Sequence, residues 1–369
     1  MALSEKKVKD PLFHIVKRAA LSWQVSWMIR IASVAAALIV CAIVIVAFTG
    51  QNPISVYGTI IDGAVGTERR VWNLLQSVAM LLCVSLAVTP AFKMRFWNIG
   101  AEGQVLMGGL ATAACMISLG GKMPTAALMC VMVLASMLAG GLWAVIPAVF
   151  KAYFNTNETL FTLMMNYIAM QLVSFFVYRW SVPKGSGQVG VINGTGHEGW
   201  IPSIAGNDYL LNILLVAVLT VLVYVYLRYS KHGYEISVVG ESENTARYVG
   251  INVKKVIIRT MLLSGAVCGI AGLLLVSGTD HTISRNTAAN RGFTAIMVSW
   301  LAKFNPLYMV LTSLLIVFLQ KGATEIATVY GLNPSFSDII TGIIIFFIIG
   351  SEFFINYTFK LREKGGEAA

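Results

Sequence analysis

The residues of this chain that are best able to do chemistry interrupt an apolar sequence. The stretch FWNIGAEGQ sets Asn98, Glu102 and Gln104 between two hydrophobic runs, directly after Phe96 and Trp97. Burying amides and carboxylates costs free energy unless each group finds a hydrogen-bond partner. The stretch therefore predicts one of two things: a tight polar turn into a closely packed helix, or a turn that borders a binding path.

No part of the sequence has the spacing of a catalytic or metal-binding motif. Neither GxSxG nor HExxH occurs, the four histidines are scattered, and the five cysteines lie in apolar runs without a CxxC pair. The phosphate-binding pattern GxxxxGK[ST] is also absent, so this chain lacks the loop that cradles ATP. These absences favour a protein that is not an enzyme and that has no cofactor or metal of its own.

Composition places the chain in a lipid bilayer. Hydrophobic residues make up 57% of the chain and charged residues only 12%, whereas a soluble domain carries about 25% charged residues. Repeated apolar runs match the length that a bilayer about 30 Å thick requires of a helix, and the alternation of a β-barrel is missing. The sequence predicts an all-α polytopic membrane protein. The net charge of +10 fits basic cytoplasmic loops and does not indicate nucleic acid.

About ten transmembrane helices are predicted, several of them short or broken by glycine. Most of the 27 Lys and Arg residues lie on one side if the N-terminus is cytoplasmic, so both termini are placed in the cytoplasm. Spans two to five and seven to ten then run in opposite senses, which predicts an inverted repeat. The predicted spans are 29–48, 72–90, 104–120, 124–147, 159–180, 209–227, 257–277, 292–303, 306–320 and 337–358.

The spans divide the chain into a cytoplasmic N-terminal segment 1–28, a transmembrane domain 29–358 and a cytoplasmic tail 359–369. Two long loops, 49–71 and 181–208, are placed outside. In the N-terminal segment, helical spacing is shown by Leu12, Ile15, Val16, Ala19 and Trp23. This spacing predicts either a short helix on the inner membrane surface or an ordinary solvated tail.

The cytoplasmic loop 228–256 contains the signals of a short amphipathic helix. Ser242 can cap its start, Glu243 and Arg247 are spaced i, i+4 on one face, and Gly250 supplies a C-terminal stop. With Gly240 on the other side, the predicted helix is bounded by glycines. The alternative is a solvated connector.

Four motifs in this chain resemble those of a known family. VVGESENTARYVGIN followed by KKVIIRTMLLSGAVCGIAG is similar to the permeases of binding-protein-dependent ABC importers in the branched-chain amino acid and simple-sugar group. FWNIGAEGQ, NETLFTLMMNYIA and SWLAKFNP most resemble the nucleoside-type permeases. The resemblance runs from about residue 72 to 350. The loop lacks an intact Glu-Ala-Ala triplet, and the ATPase-coupling residues that the resemblance implies are Gly240, Glu241, Glu243, Ala246, Arg247 and Gly250.

The resemblance implies a permease subunit that forms the path for nucleosides across a bacterial inner membrane. Its partners would be a second homologous permease, an ABC ATPase that binds ATP-Mg, an extracytoplasmic substrate-binding lipoprotein and the lipid bilayer. A simple-sugar permease is the alternative, because substrate choice in this group lies largely with the binding protein. A secondary transporter would need coupling-ion carboxylates deep in the spans, and none lies far from a predicted helix end.

Polar and aromatic residues near the spans are the candidates for the substrate path. Asn166, Tyr167 and Gln171 share one helical face that suits a nucleobase, although hydrogen bonding between helices of the two permeases would explain them at least as well. The full set of path candidates is Phe96, Trp97, Asn98, Asn166, Tyr167, Gln171, Phe293 and Trp300. Gly100, Glu102 and Gly103 are assigned to the turn, with Asn98 capping a helix that begins at Ile99. Glu102 would then lie near the N-terminus of that helix, where the dipole favours a carboxylate.

Overall fold

The computed structural model describes residues 13–18, 21–184, 186–204 and 206–361. Within these residues the chain is predominantly helical, as its composition predicts. The helices are α1 (Trp23–Thr49), α2 (Pro53–Val65), α3 (Glu68–Lys93), α4 (Ala101–Leu119), α5 (Thr125–Phe154), α6 (Glu158–Trp180), α7 (Leu210–Tyr229), α8 (Lys231–Glu241), α9 (Glu243–Tyr248), α10 (Val253–Leu275), α11 (Arg291–Leu301), α12 (Pro306–Val329) and α13 (Pro334–Asn356). A π-helical turn, Val276–Asp280, continues α10, and two strands are β1 (Phe13–Lys17) and β2 (Tyr357–Leu361).

Nine helices in the described part of the chain are long and apolar enough to cross a membrane. They correspond to nine of the predicted spans: α1, α3, α4, α5, α6, α7, α10, α12 and α13. Local side chains set where several of them begin, since Ser22, Thr67 and Asn157 each accept a hydrogen bond from the backbone N–H three residues on. The predicted outer loop 49–71 contains a further helix, α2.

The predicted span 292–303 is a short helix rather than a full span. With 11 residues, α11 is about 16 Å long, roughly half of the hydrocarbon thickness. Two hydrogen bonds to α3 show how the chain crosses here. Gln76 donates to Thr279 (2.6 Å), and Ser299 donates to the carbonyl of Ser85 (3.1 Å), about 13 Å further along α3. A loop and α11 together therefore make this crossing.

The chain folds as two compact units, one formed by Met1–Ala64 with Leu319–Ala369 and the other by Val65–Phe318. In the first unit, α1 packs on α13, and Arg30 pairs with Glu352 at 2.7 Å.

The helix predicted near the N-terminus is wrong for the described residues, because Phe13–Lys17 is a strand paired with β2. Ile15 and Val16 are β-branched and suit a strand, and helical spacing could not reveal a partner at the other end of the sequence. Leu12 and Ala19 lie outside the described residues.

The pairing of β1 with β2 constrains the number of crossings. Their register joins Phe13 to Leu361 and Lys17 to Tyr357, so both strands lie on the same side of the membrane. A chain whose two ends lie on one side crosses an even number of times. Within the described residues, nine long helices and the composite crossing through α11 give the ten crossings that the sequence predicted.

The second unit is packed around α10, whose side chains are mostly buried. Small residues let α4 and α5 lie directly against it: a Cβ at Gly108 would overlap the backbone of Gly269, and a Cβ at Gly140 would overlap the backbone of Gly265. Close approach of this kind is how helices associate in a bilayer, where the hydrophobic effect does not drive them together.

Candidate functional site

The turn between α3 and α4 begins with a fixed left-handed residue. Arg95 has φ of 61°, and its N–H donates to the carbonyl of Phe92 (2.9 Å) while the N–H of Phe96 donates to that of Ala91 (3.0 Å). This is the Schellman pattern that satisfies the last carbonyls of a helix. The chain is thereby turned back sharply after Lys93.

Asn98 and Gln104 hold the middle of the turn. Both are buried, and their amides pair reciprocally at 3.2 and 3.4 Å. Asn98 also accepts from the N–H of Gly100 (3.0 Å). The helix begins at Ala101 with Gly100 at the cap position, not at Ile99 as the sequence predicted, so Asn98 orders the turn rather than capping the first helical residues.

Helix α6 fixes the same turn from the side. Asn166 donates to the carbonyl of Ile99 (2.8 Å) and accepts from the N–H of Gly103 (2.8 Å). Thr162 accepts from the N–H of Ile99 (3.2 Å). A Cβ at Gly103 would lie 2.9 Å from Asn166, so glycine allows this contact. The amide of Asn166 is therefore satisfied by partners inside this chain, and neither a nucleobase nor a second permease is needed to explain its burial.

Glu102 caps a helix other than its own. It is 2% exposed, and its two carboxylate oxygens accept from the N–H groups of Asn290 (2.8 Å) and Gly292 (2.7 Å). Asn290 is the N-cap residue of α11 and makes no side-chain cap bond itself. Gly292 is required by the contact, because a Cβ there would overlap the backbone of Glu102. Glu102 lies in the first turn of α4, as predicted, but its carboxylate binds the start of α11 and interacts with the dipole of that helix.

An aromatic pair lies beside the turn and is half exposed. The rings of Trp97 and Trp300 stack with centroids 5.6 Å apart and planes at 25°, and the two residues are 45% and 48% exposed. Phe92 lies edge-on to Trp97 at 5.8 Å, and Phe304 lies against Trp300 at 5.2 Å. The sequence analysis missed Phe92 and Phe304, although both lie within a few residues of the tryptophans.

The remaining path candidates are dispersed. Phe96 is buried in an apolar cluster, which favours a packing role. Tyr167 and Gln171 are exposed on α6 and point away from the face that carries Asn166. Phe293 is half-buried at the start of α11. The structure therefore brings together Trp97, Trp300 and the turn, while the path assignments of the other residues stay predictions.

Both ends of α9 are closed as the sequence indicates. Ser242 accepts from the N–H of Thr245 (3.2 Å), and Glu243 pairs with Arg247 at 3.3 Å. At the other end Gly250 has φ of 82°, its N–H donates to Arg247, and the N–H of Ile251 donates to Ala246 (2.9 Å). This second Schellman motif confirms the predicted glycine stop.

One buried side chain fastens α9 to the rest of its unit. Ala246 is fully buried in a cluster with residues of α3, α5, α8 and α10 and with Phe96 of the turn. Gly240 passes so close to Lys93 that a Cβ would overlap the carbonyl oxygen of the lysine. Tyr248, by contrast, is 93% exposed. Helix α9 is thus anchored on one face and open on the other.

At the opposite end of the second unit, the loop 181–208 is attached to the end of α10. Trp200 is stacked between His197 (4.3 Å) and His281 (3.6 Å), and the N–H of Ile201 donates to Ser277 (3.1 Å). A cavity of about 530 Å³ opens nearby, between the N-terminal ends of α3 and α7, and its lining includes Trp72. This attachment was not predicted.

The fold and the site define a polytopic helical membrane protein in which one crossing is made by a loop and a short helix, and transporters build substrate sites from discontinuous helices of this kind. Residues 70–349 match the family described as the branched-chain amino acid transport system permease component. The chain belongs to this family. It is an ABC transporter permease of the branched-chain amino acid, sugar and nucleoside type, a transporter subunit and not an enzyme.

Three relatives align over most of the chain. A glucose ABC transporter permease protein of Haloferax volcanii is 28% identical, covering 88% of this chain and 87% of its own. A nucleoside ABC transporter permease protein of Lactococcus lactis is 29% identical, covering 83% and 86%. A guanosine ABC transporter permease protein of Bacillus subtilis is 29% identical, covering 86% and 91%. Membership of the family implies an ATPase and a substrate-binding protein as partners.

Proposed function

We propose that this chain forms the translocation path of a nucleoside importer. The observation that carries the proposal is the stacked pair of Trp97 and Trp300, which offers two half-exposed indole faces beside a rigid polar turn. A nucleobase has a flat π-face, and stacking of a base on an aromatic side chain contributes about 1–3 kcal/mol. The names of two relatives, a nucleoside and a guanosine permease, support the same substrate class.

In this proposal α9 is the coupling helix on which a partner ATPase docks. Its exposed face would contact the ATPase, and Ala246 would pass the movement into the cluster that also contains Phe96. Phe96 is next to Trp97, so packed side chains connect the ATPase contact to the aromatic pair. Coupling between distant sites requires a continuous network of this kind or a shared two-state element.

The proposed assembly contains a second homologous permease, ATPase subunits that bind ATP-Mg and an extracytoplasmic lipoprotein that delivers the nucleoside. The bias of Lys and Arg places β1, β2 and α9 on the cytoplasmic side. The loop 181–208 and the cavity beside Trp72 would then face the binding protein. The exposed face of α6 that carries Tyr167 and Gln171 is available for the second permease or for lipid.

The proposed substrate class is tested by measuring uptake by the assembled complex. Proteoliposomes that contain the complex and its own binding protein should take up radiolabelled purine or pyrimidine nucleosides only when ATP is supplied on the cytoplasmic side. Empty liposomes and complex without ATP are the controls. A glucose permease is the second candidate, favoured by the Haloferax relative. Uptake of glucose that no nucleoside reduces by competition would assign the chain to the sugar branch instead.

A further inference from the structure

A cavity of about 190 Å³ lies between the first turns of α8 and α10, the two helices on either side of α9. Three cationic side chains line it: Lys231, Lys255 and Arg259. His232 and Asn252 complete most of the lining. The cavity is separate from the aromatic pair and from the turn, and neither the proposed transport path nor the coupling contact uses these residues.

The cavity carries an excess of positive charge. Glu235 is the one carboxylate among its lining residues, and Arg259 already binds it at 2.6 Å. In the part of the chain that the structure describes, no salt bridge joins Lys231 or Lys255 to a carboxylate. Among the residues that the structure describes, these two lysines therefore have no ion-pair partner beside this concave surface.

Two helix N-termini add to the positive potential. Ser230 and Asn252 are the N-cap residues of α8 and α10, and each accepts a hydrogen bond from a single backbone N–H. The other N–H groups of each first turn have no acceptor within their helix. Such ends carry partial positive charge and are suited to phosphate. Their convergence on the lysines makes this a site for an anion rather than for a metal.

We propose that this cavity binds a phosphate group, supplied either by a soluble phosphorylated metabolite or by a lipid headgroup. Its volume is below the roughly 300–1,000 Å³ of sites that enclose a drug-sized ligand, so it accommodates the phosphate and leaves the rest of the ligand outside. A phosphate held by Lys231 and Lys255 would bridge α8 to α10 and restrain α9 between them. That restraint would slow transport, a consequence that rests on the proposed coupling role, whereas the binding itself does not.

Binding is measured with the purified complex in phosphatidylcholine nanodiscs, using inorganic phosphate and adenosine monophosphate as probes. Lys231→Ser and Lys255→Ser should each weaken binding of either probe to this site about tenfold, as expected for loss of one charge-assisted hydrogen bond. The matched control is Lys254→Ser. Lys254 is on the same helix and lies over the ring of Tyr153 at 4.6 Å, outside the cavity. Phosphate sites on the partner ATPase are common to all variants and cancel in the comparison.

A second measurement needs no substitution. Adding phosphate should slow acylation of Lys231 and Lys255 by an impermeant amine reagent, read by mass spectrometry, while acylation of Lys254 is unchanged. Repeating the reaction in nanodiscs of phosphatidylcholine and phosphatidylglycerol in equal amounts identifies the source. Protection by the anionic lipid alone assigns the phosphate to a headgroup, and protection by soluble probes assigns it to a metabolite; both outcomes support the site.

The proposal fails if neither soluble phosphate nor anionic lipid protects Lys231 and Lys255 more than Lys254. Where soluble phosphate does protect these two lysines, the proposal fails equally if all three variants bind phosphate as the parent complex does. Slower ATP-driven uptake in the presence of adenosine monophosphate, relieved by Lys231→Ser, would extend the site to regulation. Binding without any effect on uptake would remove the regulatory consequence and leave the site in place.

Discussion

Glu102 joins two helices through one carboxylate. Its oxygens satisfy two backbone N–H groups at the start of α11, and it is almost completely buried. A buried donor left without an acceptor costs about 1–3 kcal/mol. The short helix that completes the broken crossing therefore depends on this side chain for its position.

Replacing Glu102 should affect stability more than substrate affinity. Glu102→Ala leaves the buried N–H of Gly292 and the partly buried N–H of Asn290 without acceptors and should lower the stability of the complex by about 1–6 kcal/mol, whereas Glu102→Gln keeps one acceptor oxygen and should lose roughly half as much. Thermal unfolding of the purified complexes measures both. Glu243→Ala, which removes an exposed carboxylate of an i, i+4 pair, is the control and should cost under about 0.5 kcal/mol. A stable Glu102→Ala complex whose half-saturation for uptake rises tenfold would place the carboxylate in the path.

Trp97 should show the opposite behaviour. Because its ring is half exposed, Trp97→Ala should leave thermal stability nearly unchanged while the half-saturation for nucleoside uptake rises about 5- to 100-fold, the value of one stacking contact. Trp97→Phe retains a π-face and should retain most of the affinity. Uptake assayed against substrate concentration in both variants decides the matter. Unchanged half-saturation in Trp97→Ala would move the binding site away from the aromatic pair.

At the scale of the residue, the sequence identified the polar groups but not their partners. Asn98, Glu102, Gln104 and Asn166 are all buried and bonded. The partner of Glu102 lies 188 residues away, and spacing within FWNIGAEGQ reports only on helix starts inside that stretch. A hydrogen bond to a backbone N–H also has no signature in residue type. The role of Glu102 as a cap for α11 could therefore not be inferred from the sequence.

At the scale of the element, predictions succeeded where the causes are local. Ser242, the Glu243–Arg247 pair and Gly250 lie within one short segment, and each does in α9 what its type and spacing indicate. The strand β1 was missed because its pairing partner is at the far end of the chain. The bounds of α11 lie within two residues of the predicted span 292–303, but the sequence did not show that the loop before α11 takes part in the same crossing.

Gly250 tests whether the end of α9 matters for coupling. Proline has φ near −65° and no N–H, so Gly250→Pro excludes both the φ of 82° and the bond to Arg247. It should abolish uptake and substrate-stimulated ATP hydrolysis while membrane insertion is unaffected. Open space surrounds the Cα, so Gly250→Ala meets only backbone strain, about 1–2 kcal/mol, and should transport. Uptake at the parent rate by the proline variant would show that α9 is only a connector.

At the scale of the whole molecule, the number of membrane crossings determines whether the two ends of the chain lie on the same side. Nine long helices alone would place the two ends on opposite sides, and the pairing of β1 with β2 excludes that. The composite crossing through α11 restores the even number. The placement of both ends on the cytoplasmic side rests on charge bias, which integrates over many residues and tolerates an error in any single span. It stays a prediction.

Labelling of single cysteines tests this topology. In a background without the native cysteines, Gln188→Cys should react with an impermeant thiol reagent from outside the cell. Ile15→Cys and Asn244→Cys should react only after permeabilisation. All three positions are exposed, so access depends on the side of the membrane and not on burial. Labelling of Ile15→Cys from outside, with Asn244→Cys protected, would require an odd number of crossings between residues 15 and 244 and would contradict the predicted topology.

Because β1 and β2 lie at opposite ends of the sequence, they can pair only after the residues between them have been synthesised. Strand β1 is made early in synthesis and β2 late, and at about 5–20 residues per second the ribosome needs roughly 20–70 s to make the chain between them. During that interval α1 is already in the bilayer, while the carboxylate of Glu352 that will bind Arg30 does not yet exist. The unpaired edge of β1 is open to other strands until then. A chain that is released before β2 is made therefore keeps an unpaired β1 edge, and this edge distinguishes it from the finished permease.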